Sequence, residues 1–340
     1  MNSDQHGILV VIPCLNEEDY IQEIVAFCHQ ETLGSSSHIV VADGGSSDNT
    51  LLILKQLSMK MPNLTILENH KKIQSVGVNL AVERFGHDFD YFVRIDVHAS
   101  YPSQYISTLL DEAKTHNADS VVVSMDTQGK NPVQSLIALA QNSPLGNGGS
   151  SHRNTQNSGK WVEHGHHALM STDAFLSVGG YDESFSHNED AELDARLTKA
   201  GFKIWLTNAT NLIYYPRSQL IPLAKQYAGY GKGRCQNLLK HQEKPRLRQW
   251  VPVFVFPCLL LAILSVFHWV FAIPALTWFF ATLLAGAIIA AKSSTTLTTL
   301  KYAVWLPAMI MHLAWSYGFC MQLSKHVLQP KNKREVSHEH

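Results

Sequence analysis

Charge is missing from long stretches near the C-terminal end of this 340-residue chain. No Asp, Glu, Lys or Arg occurs from Val251 to Ala291, nor from Tyr302 to Ser324. A bilayer-spanning helix needs about 20 such residues. The first run is long enough for two spans, with Pro274 near the turn between them, and the second suits one. Uncharged runs this long seldom occur in soluble cores, which weighs against a buried helical hairpin. A basic leader is lacking at the other end. The first apolar stretch, Ile8 to Leu15, is short and contains Pro13, unlike a secretory signal. The expectation is that the chain ahead of the apolar runs stays in the cytoplasm. Paired cysteines are lacking as well: Cys14, Cys28, Cys235, Cys258 and Cys320 form no CxxC, so neither a disulfide framework nor a zinc site is suggested. No GxGxxG follows the first apolar strand. That position reads "PCLNEE", acidic where a dinucleotide pyrophosphate would bind, which argues against a dinucleotide-dependent oxidoreductase. Tandem repeats are absent too.

What is present alternates. "GILVVIP" reads as a buried strand ended by proline. "NEEDYIQEIVAFCHQ" follows at helical spacing, with Asn16 as N-cap. "HIVVADGG", "NLTILEN", "FDYFVRID" and "ADSVVVSM" read as further strands. "SSDNTLLILKQLSMK", "QSVGVNLAVERF" and "PSQYISTLLDEAK" read as the helices between them. This rhythm predicts an α/β fold, a mostly parallel sheet with helices on both faces. After Met125 the rhythm breaks, and residues 142–160 read as a Gly, Ser and Asn-rich loop. "NEDAELDARLTKAG" is a further helix, and "FKIWLT" and "TNLIYYP" two closing strands. Between Arg217 and Arg248 stand eight Lys/Arg and one acid, Glu243, the pattern of a segment facing anionic headgroups. The expected domains are a catalytic domain over 1–216, a basic juxtamembrane segment over 217–249, two or three membrane helices over 250–325 and a polar tail over 326–340.

In such sheets ligands bind beyond the carboxyl ends of the strands. Four features fall there: Pro13 to Glu18, Asp43 to Asp48, Asp96 to His98, and the helix start at Glu189 and Asp190. Each has a structural explanation by itself. Asp43 with Gly44 and Gly45 makes a turn, Asp96 could cap the helix after Pro102, and acids suit a first helical turn. Capping is a less adequate account of all of them recurring in one domain. The "HGHH" at residues 164–167 has metal-like composition. His166 and His167 are adjacent, however, and would point apart on a strand, so they read as exposed or acceptor-side histidines.

The motifs "VVIPCLNEEDYIQEIV", "VVADGGSSDNT", "RIDVHASYP" and "HNEDAELDARL", in this order, resemble the family 2 glycosyltransferases with the GT-A fold. The likeness covers roughly residues 7–240. The "RIDVHASYP" form, with "SPLG", "EDAEL" and "YGKGR", looks most like the ExoA-type enzymes of succinoglycan biosynthesis, which are membrane-anchored and build exopolysaccharide on a lipid carrier. The resemblance implies a nucleotide pocket in which Asp43 accepts from base or ribose. Pro13, Asn16, Glu17 and Gly44 would wall that pocket, Asp48 would support the turn, and Arg234 would lie near the diphosphate. It implies a divalent metal, Mn2+ or Mg2+, held by Asp96. Here the second acid of the family's DxD motif is His98, a ligand better suited to Mn2+ than to Mg2+ or else a group facing the phosphates directly. Asp190 matches the acceptor-activating acid, and Glu189 is its alternate.

The function expected is inverting transfer from a nucleotide sugar, UDP-glucose by resemblance, to a lipid-linked saccharide. The setting is exopolysaccharide synthesis by a multi-pass protein of the cell inner membrane. A polyprenyl-phosphate glycosyltransferase is the narrower alternative. A non-catalytic membrane protein with a degenerate transferase domain is the alternative from another class, for which His98 in place of an acid is the argument. Membrane lipids are expected partners and nucleic acid is not.

Overall fold

The computed structural model describes residues 7–148, 158–242, 247–294, 297 and 299–328. Much of the expected loop over 142–160 and most of the polar tail, with its "KNKR", lie outside the described residues. In chain order the elements begin with β1 (Leu9–Cys14), α1 (Ile21–Glu31), β2 (His38–Asp43), α2 (Thr50–Ser58), β3 (Leu64–Glu68), α3 (Gln74–Phe85), β4 (Tyr91–Arg94) and β5 (Ala99–Ser100). They continue with α4 (Tyr105–His116), β6 (Ser120–Thr127), α5 (Pro132–Asn142), α6 (Pro144–Asn147), β7 (Lys160–Val162), β8 (His166–Ser171), α7 (Thr172–Ser177), α8 (Glu189–Lys199) and β9 (Ile204–Tyr214). The last are α9 (Leu220–His241), α10 (Leu247–Val253), α11 (Val255–Ala262), α12 (Ile273–Lys292) and α13 (Trp305–Leu328). The chain forms two compact units, Met1–Asp126 with His152–Tyr214, and Thr127–Ser151 with Tyr215–His340.

The first unit holds the sheet, in the order β3-β2-β1-β4-β8-β6-β9-β5, with β7 on β9. The strands β3, β2, β1 and β4 pair in parallel, as the strand–helix rhythm predicts. Beyond β4 the strand β8 runs antiparallel, and β6 pairs antiparallel to it, so β6 keeps the direction of β4. The alternation of strand side chains sorts the core into two faces. Val10, Ile12 and Cys14 pack with α1 and α4, while Leu9 and Val11 pack with Val78, Ala81 and Val82 of α3, Phe175 of α7 and Leu193 of α8. Helices thus cover both faces, as expected. One strand replaces the two closing strands expected after Gly201. β9 runs unbroken because two edge partners share it: β7 pairs Ile204 to Leu206, and β5 pairs Ile213 and Tyr214.

The second unit is helical. Leu136, Ile137 and Ala140 of α5, Leu223 of α9, Ala290 of α12 and Val304, Ala308 and Met311 at α13 form one buried cluster. Asn131 caps α5 by accepting from Gln134 N at 2.9 Å, with Pro132 at the first helical position. Helices α9 and α13 approach closely at glycines: a Cβ on Gly231 would overlap the carbonyl oxygen of Trp315, and one on Gly318 that of Ala228. This explains the first glycine of "YGKGR" by packing, since small residues let helix backbones touch. Among the described residues two helices are long and apolar enough to cross a membrane, Trp269–Lys292 and Leu300–Leu328, and Trp250–Val266 is a shorter apolar one.

Candidate active site

Loops at the carboxyl ends of β1 and β2 lock onto each other. Asn16, in the left-handed region at φ 57, accepts from Ser47 N at 2.8 Å and donates its own N–H to Ser46 Oγ at 2.8 Å. It is therefore a loop fastener rather than the cap of α1, which begins after Tyr20. Glu17 N donates to Thr50 Oγ1, Glu18 N to Asp48 Oδ2, and Asn49 N to Glu18 Oε2. Asp48 Oδ1 also accepts from Thr50 N at 3.0 Å at the start of α2. Asp43 is buried, and its carboxylate is taken up by its own turn. Gly45 N and Ser46 N reach Oδ2 at 2.9 and 3.0 Å, and Ser46 Oγ reaches Oδ1 at 2.5 Å. Gly44 N bonds Cys14 O at 2.9 Å, and Pro13 pairs in register with Ala42, which joins the two strand ends. Pro13, Asn16, Glu17, Asp43, Gly44 and Asp48 are thus brought together on one rim.

Asp96 follows β4. It is not the cap of α4, whose first N–H groups go to Glu31: Gln104 N to Oε1 at 2.8 Å and Ile106 N to Oε2 at 3.2 Å. Its carboxylate remains partly exposed, with Gln74 Nε2 donating to Oδ1 at 3.0 Å and Arg94 Nε 3.6 Å away. Tyr101 OH clamps the Asp96 backbone from both sides, accepting from N at 2.8 Å and donating to O at 3.1 Å. His98 turns elsewhere and pairs through Nε2 with Glu17 Oε1 at 2.9 Å. No group of three or more His, Cys, Asp or Glu side chains among the described residues is set to hold a metal ion. A single accessible carboxylate at a strand end fits a cation completed by the oxygens of a bound diphosphate.

Asp190 sits in the first turn of α8, after Asn188 in the left-handed region. Buried Arg94 grips it with both terminal nitrogens, Nη1 to Oδ1 at 2.7 Å and Nη2 to Oδ2 at 3.3 Å. Tyr181 OH donates to Oδ1 at 3.0 Å, and His167 Nδ1 stands 3.3 Å off. Tyr181 is held in turn by Asn79 of α3, through Nδ2 to O and N to Oδ1, both 2.8 Å. Burial would raise the Asp190 carboxyl, but Arg94 and then His167 overcome it and hold it well below the usual carboxylate range. Glu189 goes the other way: desolvation and then the charge of Asp190 push it up to about 7.

Here the structure corrects the reading of "HGHH" as exposed or acceptor-side histidines at one position, His167, while His164 is exposed as expected. His167 is buried between two carboxylates, with Nε2 2.6 Å from Asp194 Oδ1. Burial lowers its basicity, but Asp194 and Asp190 more than reverse this and raise it to about 10, so it is an imidazolium at neutral pH. His164 Nδ1 contacts the other oxygen of Asp194 at 2.6 Å. His166 faces Asp96 and Asp190 at 3.5 and 4.0 Å; burial first, then Arg94, bring it down to about 4. A register shift between Val121 and Val122 of β6 breaks the plain alternation on which the expectation rested. The available signal was the i, i+4 pair of Asp190 and Asp194, which share a face of α8. Arg234 lies in the second unit on α9, with Nη1 3.5 Å from Asn237 Oδ1.

Comparison with known proteins follows this geometry. The family described as Glycosyl transferase family 2 matches residues 9–179. The succinoglycan biosynthesis protein ExoA of Rhizobium meliloti (strain 1021) is 48% identical over 326 residues, 95% of this chain and 98% of that protein. A Methanococcus voltae dolichyl N-acetyl-alpha-D-glucosaminyl phosphate 3-beta-D-2,3-diacetamido-2,3-dideoxy-beta-D-glucuronosyltransferase is 26% identical over 243 residues, 67% of this chain and 72% of that protein. Among solved structures, the mannosyltransferase PcManGT of Pyrobaculum calidifontis, in complex with GDP-Man and Mn2+, superposes with a TM-score of 0.57 at 16% identity, covering 94% of this chain and 88% of that one. At that identity the likeness speaks for the fold alone, and it agrees with the expected GT-A architecture.

Proposed function

The chain belongs to glycosyl transferase family 2, and from that premise we propose an inverting glycosyltransferase that moves glucose from UDP-glucose to a lipid-linked saccharide during exopolysaccharide synthesis. The succinoglycan role in the name of the Rhizobium relative supports the exopolysaccharide part, and the dolichyl sugar phosphate in the name of the Methanococcus relative supports a lipid-linked acceptor. One observation carries the chemistry: a single buried guanidinium, Arg94, lies against both Asp190 and Asp96, at 2.7 and 3.6 Å.

In this reading the nucleotide lies against the joined loops of Asn16 and Asp43, with Pro13, Glu17, Gly44 and Asp48 holding their shape. Asp96 holds Mn2+ or Mg2+, as the Mn2+ in the solved mannosyltransferase supports. The ion, when bound, offsets the charge that builds on the departing diphosphate. His98, fixed by Glu17, faces the same phosphates. The acceptor oxygen bonds to C1 of the sugar as the bond from C1 to the diphosphate oxygen breaks, and the acceptor's hydroxyl proton passes to Asp190. No protein nucleophile is required. Asp190 is suited to this by being ionised and immobile. The raised basicity of Glu189 supports a second reading in which Glu189 takes the proton and Asp190 orders the site. The two long apolar helices and the basic stretch before them support a multi-pass anchor in the inner membrane, with the catalytic unit on the cytoplasmic side.

A screen of nucleotide sugars for protection against thermal unfolding, with Mn2+ present, tests the donor. UDP-glucose should raise the midpoint most, and release of UDP should then require membranes or lipid extract. Protection by a different nucleotide sugar would replace the donor, and protection by none would sink the reading.

A further inference from the structure

The motif "DVH" directs attention to His98 as the partner of Asp96, but the fold brings another histidine to that carboxylate. Strands β4 and β8 pair antiparallel with Tyr91 opposite Ser171, Phe92 opposite Met170 and Val93 opposite Leu169. That ladder ends at Val93 and Leu169; Asp96 follows the end of β4 and His166 begins β8. The two side chains nevertheless come together, His166 Nε2 lying 3.5 Å from Asp96 Oδ2. His98 is meanwhile engaged by Glu17.

We infer that His166, not His98, is the second protein ligand of the divalent cation that Asp96 holds; this rests on the metal-dependent transferase reading above. Two ligands bonded to one ion at about 2.1 Å stand about 3.0 Å apart at a right angle and about 3.4 Å apart near the tetrahedral angle. The observed 3.5 Å separation matches such a pair and is long for a direct hydrogen bond. The opposite ring nitrogen, Nδ1, faces Asp190 Oδ2 at 4.0 Å. Metal-bound imidazoles commonly turn their second nitrogen to a carboxylate, which fixes the ring. His166 is mostly buried while His98 is exposed, so the ring of His166 is the one already held in place. One imidazole and one carboxylate form an incomplete shell, and the diphosphate oxygens of the donor would complete it. An imidazole ligand favours Mn2+ over Mg2+.

The test is Mn2+ binding by electron paramagnetic resonance on the full chain with UDP, separate from any turnover measurement. Wild-type protein should show nitrogen hyperfine modulation from one bound imidazole. His98→Ala should keep that modulation and the Mn2+ affinity. His166→Ala should lose the modulation and weaken Mn2+ binding by roughly tenfold or more, the scale of losses even at supporting residues of metal sites. Circular dichroism of each variant checks folding, and should His166→Ala fail to fold, His98→Ala decides: modulation kept supports the inference and modulation lost overturns it. Mn2+ bound without nitrogen modulation overturns the inference, and modulation lost only in His98→Ala transfers the role to His98. UDP bound with no Mn2+ uptake at all removes the metal-dependent reading itself, a result distinct from either.

Discussion

Arg94, His167 and His166 suppress the basicity of Asp190, whereas Glu189 beside it has its basicity raised. Asp190→Asn preserves shape and should leave UDP affinity intact, while transfer falls by roughly 10²–10⁴-fold, the range for a lost general base. Glu189→Gln should cost less. Measuring UDP affinity and turnover for both variants decides the roles, because normal turnover in Asp190→Asn with a dead Glu189→Gln exchanges them. The pH profile separates the two independently. With Asp190 as base, kcat/KM stays level as pH falls through 7, and with Glu189 as base it falls there as the carboxyl takes up its proton. His167 gives a stability prediction. Its folded pKa, about 10, lies above the ordinary 6.5, so the folded state holds the extra proton between those values. That contribution is complete below 6.5 and is lost as pH rises through 10. Asp194→Asn removes the largest cause of the shift. Urea unfolding at about pH 6 and about pH 9 should show the wild type losing more stability between the two than the variant does.

At the scale of elements, the loops after β1 and β2 are one structure, because each offers the other a backbone donor and a side-chain acceptor. The helix pair α9 and α13 depends on close approach instead. Gly231 and Gly318 each touch a carbonyl of the partner helix, so no side chain fits at either position. Gly231→Leu should force the helices apart and cost about 1–3 kcal/mol or more, as overpacking does. The check is the melting temperature in detergent beside that of Lys232→Leu, which puts the same side chain at the exposed position next door. Equal melting temperatures for the two would mean that the helix contact does not contribute to stability.

For the whole molecule, the apolar helices bear on where it resides. Only 17% of the most apolar window of Trp269–Lys292 is buried within the protein, which is consistent with membrane association. The full chain should stay with membranes through alkaline carbonate washing. Ending the chain after Lys240 removes α12 and α13 and uncovers Leu136, Ile137, Ala140 and Leu223. This fragment should therefore self-associate, and light scattering should show it dispersing once Leu136 and Leu223 are made polar. A monodisperse fragment without those changes would contradict the packing described for the second unit.

The strand–helix rhythm in the first half of the chain, the apolar C-terminal runs, and the three strand ends and one helix start expected to face a ligand follow from patterns a few residues long. Periodicity, a carboxylate after an apolar run and an absence of charge are local properties, so they were legible from the residues alone. The family resemblance rested on the same short motifs. Partner choice was not legible, because it depends on residues far apart in the chain. Asn16 looked like a helix cap until the β2 loop offered Ser46 and Ser47. Asp43 was legible as a turn residue, but the capture of both its oxygens by that turn was not. Arg94 reads as an unremarkable strand residue, yet it joins Asp96 to an aspartate 96 positions further along the chain. His167 was misjudged for the same reason: alternation predicts which way a strand residue points, but only the helix that brings Asp194 to it determines what it meets there. Tertiary structure decided these pairings because a buried charge must find its counter-charge wherever the fold brings one near.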